Sequence, residues 1–432
     1  MSNPLQPVKG TRDFYPEDFR LRAWLFDIWR TAARRFGFEE YDACVLESEE
    51  LYIRKAGDEI TQQLYNFEDK SGRKLALRPE MTPSLARLIL QRKNSLTFPL
   101  KWFSIPQCFR YERMTRGRKR EHFQWNADII GQPDAVAELE VLCVLLTALR
   151  ALGLGPEHVR VHLNDRRLLN AVLEHLGVVA EQHLPVMVVM DKRDKISPEE
   201  LAGMLRTQGL NEDQIARLNA FLAMEGLEQV EAALGEVPAI ADLKRLLERL
   251  DQVGFPGYGR FDITVVRGLS YYTGTVFEIR DAGASLRALC GGGRYDSLLS
   301  AYGGETIPAI GFGFGDVVIL ELLSDLKLLP DLKPRVEYTV VPFSPEQTQQ
   351  ALRVAQSLRD QGHSVDADFS YRKLKRALQR AEETGARHVV LLMPEELERG
   401  EVVLRDMTTR TEKRIPLGRL VQGVQGQGLG LD

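Results

Sequence analysis

Two strand-like runs in the first third of the chain carry charged and polar side chains where a buried sheet would carry valine or isoleucine. The first run carries Arg110 and Glu112, and the return run carries Gln124, Asn126 and Asp128. Because side chains alternate along a strand, each of these two groups shares one face. Unpaired charge is costly to bury, so we expect both runs to form the floor of an open site.

The segment that joins the two runs is strongly cationic, with six arginine and lysine residues between positions 110 and 120. Guanidinium groups bind phosphates through pairs of hydrogen bonds, so this density indicates phosphate chemistry. A solvated hairpin on an antiparallel sheet is the alternative. Phe109, Trp125, Ile129 and Ile130 in the same runs indicate that one side of the sheet is packed, which favours a site.

Length and composition describe an ordinary globular protein of about two or three domains. The 432 residues are 44% hydrophobic and 27% charged with a formal net charge of -4, so any RNA would bind through local basic patches. The N-terminus shows no apolar leader, and no run is long enough to span a membrane. Four scattered cysteines without C-x-x-C spacing predict neither disulfides nor a metal site, and favour a cytoplasmic location.

The hydrophobic pattern predicts a sheet domain with a helical insertion and a smaller second domain. In the sheet domain we predict a helix over 18–36, strands over 107–112 and 261–266, and a helix with Thr82 as its N-cap and Pro83 at its first position. The second domain alternates strands and helices, which predicts a largely parallel sheet. The predicted boundaries are 1–165 and 258–325 for the sheet domain, 166–257 for the insertion, 326–335 for a linker and 336–432 for the second domain.

Two motifs place polar groups in loops where sheet domains often bind ligands. Glu80 and Thr82 lie on a strand-to-helix turn, where they either bind a substrate ammonium group or stabilise the start of the helix. Arg267 follows a predicted strand, and Tyr271 and Tyr272 come shortly after it. That loop is either a ligand site or a surface turn with packed tyrosines.

Two glycine-rich segments follow. The segment 290–296 lacks the phosphate-loop and dinucleotide-binding patterns, so its glycines indicate that backbone passes close to a ligand. The segment 308–315 has glycine at every second position, which strips one face of a strand. Either a flat ligand lies against that bare face or another element packs tightly on it.

A basic helix is predicted over 373–384 in the second domain. Arg372, Lys375 and Arg376 lie on one side of it, as spacings of three and four require. A solvated face explains such a run as readily as contact with an RNA backbone does.

Together these motifs resemble the histidyl-tRNA synthetase family of class II aminoacyl-tRNA synthetases. The shared elements occur in the family's order over almost the whole chain and are Lys9-Gly-Thr-Arg-Asp-Phe, Leu77-Arg-Pro-Glu, Phe109-Arg-Tyr-Glu, Arg267-Gly-Leu-Ser-Tyr-Tyr-Thr-Gly and Gly292-Gly-Arg-Tyr-Asp. The resemblance implies an α+β fold: an antiparallel-sheet catalytic domain with a helical insertion, and a C-terminal α/β anticodon-binding domain, in a homodimer. It also implies ATP-dependent attachment of L-histidine to tRNA(His) through a histidyl-adenylate, with release of AMP and diphosphate.

The resemblance implies roles for the candidate residues. Arg110 and Arg267 would stabilise the α-phosphate of ATP, with Mg²⁺ bound through the phosphates. Glu112 would contact adenine, and His122 or Phe123 would stack on it. The residues implied for histidine are Glu80, Thr82, Gln124, Asp128, Tyr271 and Tyr272. Those implied for tRNA are Arg113, Arg116, Arg118 and Lys119 at the acceptor end, and Arg372, Lys375 and Arg376 in the C-terminal domain.

Three positions depart from the family's pattern. Gly315 is followed by Asp316-Val-Val-Ile, so Val318 stands where an arginine normally binds the ATP phosphates. Either a loop arginine substitutes for it or ATP binds more weakly. Cys44 replaces the proline of the first, dimer-forming motif, which affects the interface. His122 stands where phenylalanine is usual, which weakens stacking on adenine or shifts it to a neighbour.

Two other functions are compatible with parts of the pattern. The regulatory subunit of ATP phosphoribosyltransferase is a paralogue that keeps the sheet without the catalysis, and the absent arginine fits it. Arg267, the polar set around Asp128 and the C-terminal domain argue against that assignment. A class II synthetase for glycine, threonine or proline is the other, but the paired tyrosines and Asp128 do not suit a small or apolar substrate.

Overall fold

The computed structural model describes residues 5–53, 62–193, 196–267, 271–283, 286–334 and 336–421. The chain divides into two compact units, Met1–Pro330 and Asp331–Asp432. Within the described ranges, no helix is long and apolar enough to cross a membrane.

The first unit combines a large sheet with helices on its packed face and at one end. Its strands are β1 (Glu39–Glu40), β2 (Leu46–Ser48), β3 (Tyr65–Glu68), β4 (Lys74–Leu77), β5 (Leu100–Ser104), β6 (Gln107–Phe109), β7 (Glu121–Ile130), β8 (Val159–Asp165), β9 (Gly259–Phe261), β10 (Thr275–Asp281), β11 (Cys290–Arg294) and β12 (Ala309–Gly315). Its α-helices are α1 (Pro16–Arg35), α2 (Glu49–Ile53), α3 (Thr82–Arg92), α4 (Val136–Ala151), α5 (Arg166–His175), α6 (Ala180–Met190), α7 (Pro198–Thr207), α8 (Glu212–Leu222), α9 (Leu227–Leu234), α10 (Pro238–Gln252), α11 (Leu298–Ala301) and α12 (Asp316–Asp325).

The large sheet has the strand order β1-β5-β7-β12-β11-β10-β8-β9, and β6 pairs with the first half of β7. Its central strands are antiparallel, whereas β1 and β9 at the edges pair in parallel with β5 and β8. The strands β2, β4 and β3 form a separate three-stranded sheet, with β4 in the middle. The long strand β7 runs through the middle of the large sheet, so its alternating side chains separate a packed face from an open one.

An aromatic cluster fills the packed face. Trp29 of α1 stacks on Trp125 of β7 with ring centroids 5.8 Å apart, and its ring centroid lies 5.3 Å from that of Phe314. All three side chains are fully buried. Large aromatic rings bury about 150–250 Å² each, so this cluster fixes which face of β7 points away from the core.

Helices α5 to α10 occupy the stretch between β8 and β9. Each has an apolar stripe, such as Leu243, Leu246 and Leu250 on α10, and these stripes pack together in the core of the first unit. Several begin with an N-cap side chain; Ser197 at α7 and Asn211 at α8 each form a complete capping box.

Three predicted elements in the first unit differ from the observed ones. The strand expected over 107–112 ends at Phe109, although the Arg110 N–H still donates to the Arg120 carbonyl. The strand expected over 261–266 ends at Phe261, because Asp262 accepts hydrogen bonds from Thr264 and turns the chain. Helix α3 has Met81 as its N-cap, so Thr82 is its first helical residue.

The second unit is a five-stranded sheet with helices. Its strands are β13 (Tyr338–Pro342), β14 (Val365–Ala367), β15 (His388–Leu392), β16 (Glu401–Asp406) and β17 (Glu412–Pro416), and its helices are α13 (Thr348–Asp360), α14 (Leu374–Glu383), α15 (Pro394–Glu398) and α16 (Leu417–Val421). The order is β14-β13-β15-β16-β17. The first two pairings are parallel, but β16 and β17 add an antiparallel hairpin, so the prediction of a largely parallel sheet was wrong for that half.

Candidate active site

A cavity of about 740 Å³ opens over the unpacked face of β7, β12 and β11. It is walled by the loop before α3, the 110–119 loop, the segment around Arg267 and the end of α6. Most of the substrate-binding residues predicted from the sequence line it. These are Glu80, Thr82, Arg110, Glu112, His122, Gln124, Asp128, Arg267, Tyr271 and Tyr272, together with Arg118 and Lys119 of the predicted tRNA-binding set.

Strand β7 supplies the floor of the cavity through its even-numbered residues. His122, Gln124, Asn126 and Asp128 line the cavity, as the alternation of side chains requires. The amide of Gln124 donates to the Asn126 side-chain oxygen at 2.8 Å, and its oxygen lies 3.3 Å from His122 Nε2. The buried Asn126 Nδ2 makes no hydrogen bond with any described residue, so it is a donor available to a ligand.

Phe123 lies on the opposite face of β7 from His122. Its ring makes edge contacts with Phe26 at 5.2 Å and Phe14 at 6.1 Å between centroids, and the Arg22 guanidinium lies 4.7 Å from its centroid. Adjacent residues of a strand cannot share a face. Of the two residues predicted to stack on adenine, His122 is therefore the one that the fold presents to the cavity.

The glycines of β11 and β12 make room for polar side chains. A Cβ on Gly311 would overlap the Asp128 carboxylate, and one on Gly313 would overlap the Gln124 amide. On β11, a Cβ on Gly291 would overlap the Arg267 guanidinium. The stripped strand faces thus accommodate functional groups of neighbouring segments, and Gly291, Gly311 and Gly313 themselves line the cavity.

Asp128 is a buried carboxylate at the back of the cavity. Its Oδ1 accepts a hydrogen bond from the Tyr295 hydroxyl, which reaches it from the end of β11. Burial raises the pKa of Asp128 to about 7, although the hydrogen bond from Tyr295 opposes that shift. A carboxylate poised near neutrality is suited to bind a group that itself titrates near pH 7.

Glu80 forms a second buried carboxylate on the other side of the floor. The Tyr271 hydroxyl donates to Glu80 Oε2 at 3.5 Å. Burial raises the pKa of Glu80, while the Arg110 guanidinium and this hydrogen bond oppose the rise. The rings of Tyr271 and Tyr272 lie 5.0 Å apart, so the two tyrosines form one wall.

Arg267 is held in a strained backbone conformation at the cavity edge. Its φ of 56° lies in the left-handed region, which residues other than glycine rarely adopt. The carbonyl of Arg267 accepts from Arg166 Nη2 at 3.0 Å, and its Nη1 donates to Glu278 Oε1 at 2.8 Å. Burial alone would lower the pKa of Arg267, but Tyr272 and Glu278 outweigh it and raise the pKa. The buried Nε makes no hydrogen bond with a described residue.

Arg110 and Glu112 lie on the loop beyond β6 and line the same cavity as Arg267. Arg110 Nε donates to the Pro79 carbonyl at 2.8 Å, which anchors a side chain that lines the cavity. Glu112 forms an ion pair with Arg118 at 2.7 Å. Burial and then the nearby Arg110 charge lower the pKa of His122 to about 3, so this imidazole is neutral at physiological pH.

The last strand–helix junction carries a buried carboxylate instead of a free cation. Asp316 accepts from the Phe123 N–H at 2.9 Å and pairs with Arg12 Nη1 at 2.9 Å. Arg12 also contacts Glu121 at 3.2 Å, so Asp316 ties the N-terminal segment to the start of β7. Val318, two residues on, is almost fully buried at the cavity edge.

Comparison with known proteins decides the family. The histidyl-tRNA synthetase model matches residues 10–315, and the anticodon binding domain model matches residues 337–427. A chloroplastic/mitochondrial histidine–tRNA ligase of Arabidopsis thaliana is 46% identical over 417 residues, which cover 96% of this chain and 86% of the relative. The chain belongs to the histidyl-tRNA synthetase family.

Two further comparisons agree with membership of the histidyl-tRNA synthetase family. A histidine–tRNA ligase of Opitutus terrae is 39% identical over 424 residues, covering 95% of this chain and 96% of the relative. The crystal structure of a histidyl-tRNA synthetase from Nostoc sp. PCC 7120 matches with a TM-score of 0.79 at 23% identity, over 98% of this chain and 99% of that one. The structural likeness supports the α+β class II fold predicted from the sequence.

The tRNA-binding residues predicted by resemblance to this family fall into three places. Arg118 and Lys119 line the cavity. Arg113 and Arg116 are exposed on the same loop, where Arg116 contacts Glu321 at 3.2 Å and Asp325 at 2.6 Å. In the second unit, the three basic residues at the start of α14 are all exposed, namely Arg372, Lys375 and Arg376.

Several groups in this histidyl-tRNA synthetase cavity were not predicted from the sequence. Tyr295 bonds Asp128 although the two residues are 167 positions apart. Glu278 pairs with both Arg267 and Arg280. Arg287 enters the cavity from the segment before β11. A signal existed for Tyr295, because it lies in the glycine-rich segment 290–296, and for Glu278, because it lies in the strand-like run Thr275-Val-Phe-Glu-Ile279. Arg287 lies in no motif that the sequence analysis identified.

Proposed function

We infer that this chain attaches L-histidine to tRNA(His) in an ATP-dependent reaction that passes through a histidyl-adenylate and releases AMP and diphosphate. It is a class II aminoacyl-tRNA synthetase. The observation that carries this conclusion is one cavity that combines two arginines, Arg110 and Arg267, with two buried carboxylates and a tyrosine pair. Cations suit a nucleotide phosphate, and the carboxylates suit an amino acid with a basic side chain.

In the first step, a carboxylate oxygen of histidine attacks the α-phosphorus of ATP. A new O–P bond forms, the bond from the α-phosphorus to the β-phosphate oxygen breaks, and diphosphate leaves with the bonding electrons. Negative charge accumulates on the α-phosphate oxygens in the transition state. Arg110 and Arg267 stabilise that charge, and because both are fixed by other contacts they need little reorganisation.

Histidine lies across the floor of the cavity. Its ammonium group binds Glu80, with Thr82 and Gln124 nearby, and its imidazole lies between Asp128 and Tyr272, beside Tyr271. An imidazole needs a donor and an acceptor on its two nitrogens. An apolar amino acid would form no hydrogen bond with Asp128, which is already bonded to Tyr295. A buried polar group left without its substrate hydrogen bond discriminates strongly against such an amino acid.

ATP lies toward the 110–119 loop. Glu112 accepts from the adenine amino group, and His122 contacts the ring in place of Phe123. The described residues contain no group of three or more histidine, cysteine, aspartate or glutamate side chains suited to a metal ion. Magnesium would enter on the phosphates of ATP, where it would neutralise charge, and Arg110 and Arg267 would be among the guanidinium groups around it.

In the second step, the terminal adenosine hydroxyl of tRNA(His) attacks the carbonyl carbon of the adenylate, and AMP leaves. The acceptor end approaches over Arg113, Arg116, Arg118 and Lys119. The anticodon region binds the second unit through the basic start of α14. Both surfaces are polar and cationic, as phosphate backbones require.

A homodimer and a cytoplasmic location belong to the same proposal. Cys44, Val45 and Leu46 are exposed in the first motif, and an exposed apolar segment of this kind fits a subunit interface. Light scattering is expected to give twice the chain mass of 48.9 kDa; a monomer at micromolar concentration would contradict the dimer. All four cysteines are free thiols, which is compatible with a reducing compartment.

The direct test is charging of a tRNA(His) transcript with each of histidine, glycine, threonine and proline. We expect transfer of histidine alone, with ATP consumed and AMP formed. Charging of the transcript with one of the other amino acids would assign a different class II specificity. Histidine binding without charging or ATP–diphosphate exchange would instead support the regulatory function, which the absence of an arginine at Val318 favours.

A further inference from the structure

Position 318 leaves a gap in the phosphate-binding part of the cavity. Val318 is apolar and almost fully buried in the first turn of α12, so it provides no charge for the terminal phosphates of ATP. Diphosphate carries several negative charges as it leaves, and a fixed cation at this corner would stabilise it.

The side chain of Arg287 lies at the same corner. A Cβ built on Gly117 would lie 3.3 Å from Val318 Cγ2 and 3.9 Å from Cγ and Cδ of Arg287. Gly117, Val318 and the aliphatic stem of Arg287 therefore meet within a few ångströms. Arg287 lines the cavity together with Arg110, Arg118 and Arg267.

Arg287 lines the cavity without a carboxylate partner among the described residues, unlike three of its neighbours. Arg118 pairs with Glu112, Arg267 with Glu278, and Arg280 with Glu278. Among the described residues, Arg287 forms neither an ion pair nor a hydrogen bond. Burial and the charges of neighbouring arginines, Arg118 first, lower its pKa to about 10 despite Glu112. Cations that repel one another around an open space are stabilised when an anion binds between them.

We propose that Arg287 binds the terminal phosphates of ATP and the departing diphosphate, in place of the arginine that Val318 displaces. The proposal rests on the synthetase function given above and adds a group that touches the leaving group. As the bond from the α-phosphorus to the β-phosphate oxygen breaks, the electron pair moves to the diphosphate, and the Arg287 guanidinium hydrogen-bonds its oxygens. Arg280 is not the substitute, because Glu278 already holds it.

The test is histidine-dependent ATP–diphosphate exchange with wild type, Arg287→Ala, Arg287→Lys and Arg249→Ala. Arg249 is exposed on α10, in the helical stretch between β8 and β9, and controls for loss of a surface charge. We expect Arg287→Ala to lower kcat/KM for ATP and for diphosphate by about 10- to 100-fold. Arg287→Lys should recover part of the loss, and the KM for histidine should stay within about twofold of wild type, as for any residue remote from the amino acid.

A relocated charge gives the sharpest result. In the Arg287→Ala background, Val318→Arg places a guanidinium at the same corner, and we expect it to restore most of the lost kcat/KM for ATP. A kcat/KM for ATP in Arg287→Ala within twofold of wild type would overturn the proposal. An equal loss of histidine and ATP affinity in both Arg287 variants would also overturn it, since that is the signature of structural damage.

The failure of this proposal differs from failure of the synthetase function. If wild type itself shows no histidine-dependent exchange, the function is contradicted, and Arg287 is then tested by calorimetric binding of ATP with Mg²⁺. A lower affinity in Arg287→Ala would still support the phosphate site. Equal affinities of the two proteins would overturn it.

Discussion

The Tyr295 hydroxyl donates a hydrogen bond to the carboxylate of Asp128, and both groups are buried at the back of the cavity. Tyr295 directly follows the glycine-rich strand β11, and Asp128 lies on β7, with β12 between these two strands in the sheet. Gly311 on that middle strand has no side chain to block the approach. The glycine spacing, the tyrosine and the aspartate are thus parts of one arrangement that presents a titratable carboxylate to the cavity.

Asp128→Asn is expected to stabilise the protein above neutral pH while it impairs histidine binding. The pKa of Asp128 rises from 3.8 to about 7 on folding. The contribution of this group to the free energy of unfolding is therefore fully present below about pH 4 and is lost as the pH rises to about 7. The variant lacks this loss. Its unfolding midpoint should exceed that of wild type by on the order of 5 °C at pH 8, with the gap closing toward pH 4. Thermal unfolding followed by circular dichroism checks it; a gap independent of pH would contradict the raised pKa.

The same carboxylate is expected to set the pH dependence of histidine binding. Histidine should bind wild type more weakly as the pH falls through 7, because Asp128 gains a proton and no longer pairs with the imidazole. Calorimetry at pH 6 and pH 8 measures this change. In Asp128→Asn, affinity should be low at pH 8, by roughly 10-fold or more, and should vary little with pH.

Two glycine substitutions are expected to separate stability from substrate binding. In Gly292→Ala the Cβ would collide with the Gly311 carbonyl and lie 2.6 Å from the Phe277 ring, so we expect a loss of roughly 2–3 kcal/mol in the free energy of unfolding. In Gly313→Ala it would meet the end of the Gln124 side chain instead. That change should raise the KM for histidine several-fold with little loss of stability.

Denaturant unfolding and ATP–diphosphate exchange measure the two effects. Gly203→Ala in α7 is the control, because a Cβ there meets nothing within 4 Å, and it should be neutral or slightly stabilising. Equal destabilisation by Gly292→Ala and Gly313→Ala would contradict this distinction, because it would show that a Cβ at Gly313 displaces more than the end of the Gln124 side chain.

The exposed arginines of the 110–119 loop are expected to differ in their effect on tRNA. Arg113 forms no ion pair with a described residue, whereas Arg116 is held by Glu321 and Asp325. Arg113→Ala should raise the KM for tRNA(His) a few-fold and leave tRNA-independent exchange unchanged, and Arg116→Ala should do less. Charging of a tRNA(His) transcript measures both. An unchanged kcat/KM for the transcript in both variants would remove this loop from the tRNA interface.

The basic start of α14 is expected to contact tRNA electrostatically. Arg376→Glu should raise the KM for tRNA(His) about 10-fold at low salt and reduce the salt dependence of binding, with Arg372 and Lys375 adding to the effect. Arg353→Glu, at an exposed position on α13, is the matched control. If the two variants weaken binding equally, net charge rather than this helix is responsible.

The sequence predicted the polar face of β7 because a period of two residues fixes which side chains share a face. The same rule, applied to residues 122 and 123, excludes Phe123 from the cavity. Arg110 and Glu112 were placed on a strand that ends at Phe109, since the end of pairing depends on the partner strand and not on local residues. Nothing local brings Tyr295 to Asp128, or Arg287 to Val318. Those contacts arise from strand order, which short-range patterns do not determine.

The most direct measurement of the central claim is histidine-dependent ATP–diphosphate exchange by wild type beside Arg267→Ala. Arg267 keeps a strained φ of 56° and pairs with Glu278 next to the proposed α-phosphate position. We expect rapid exchange in wild type, and a loss of about 100- to 1,000-fold in the variant with histidine binding retained. No exchange from folded wild type that binds histidine, or full exchange by Arg267→Ala, would contradict adenylate formation at this cavity.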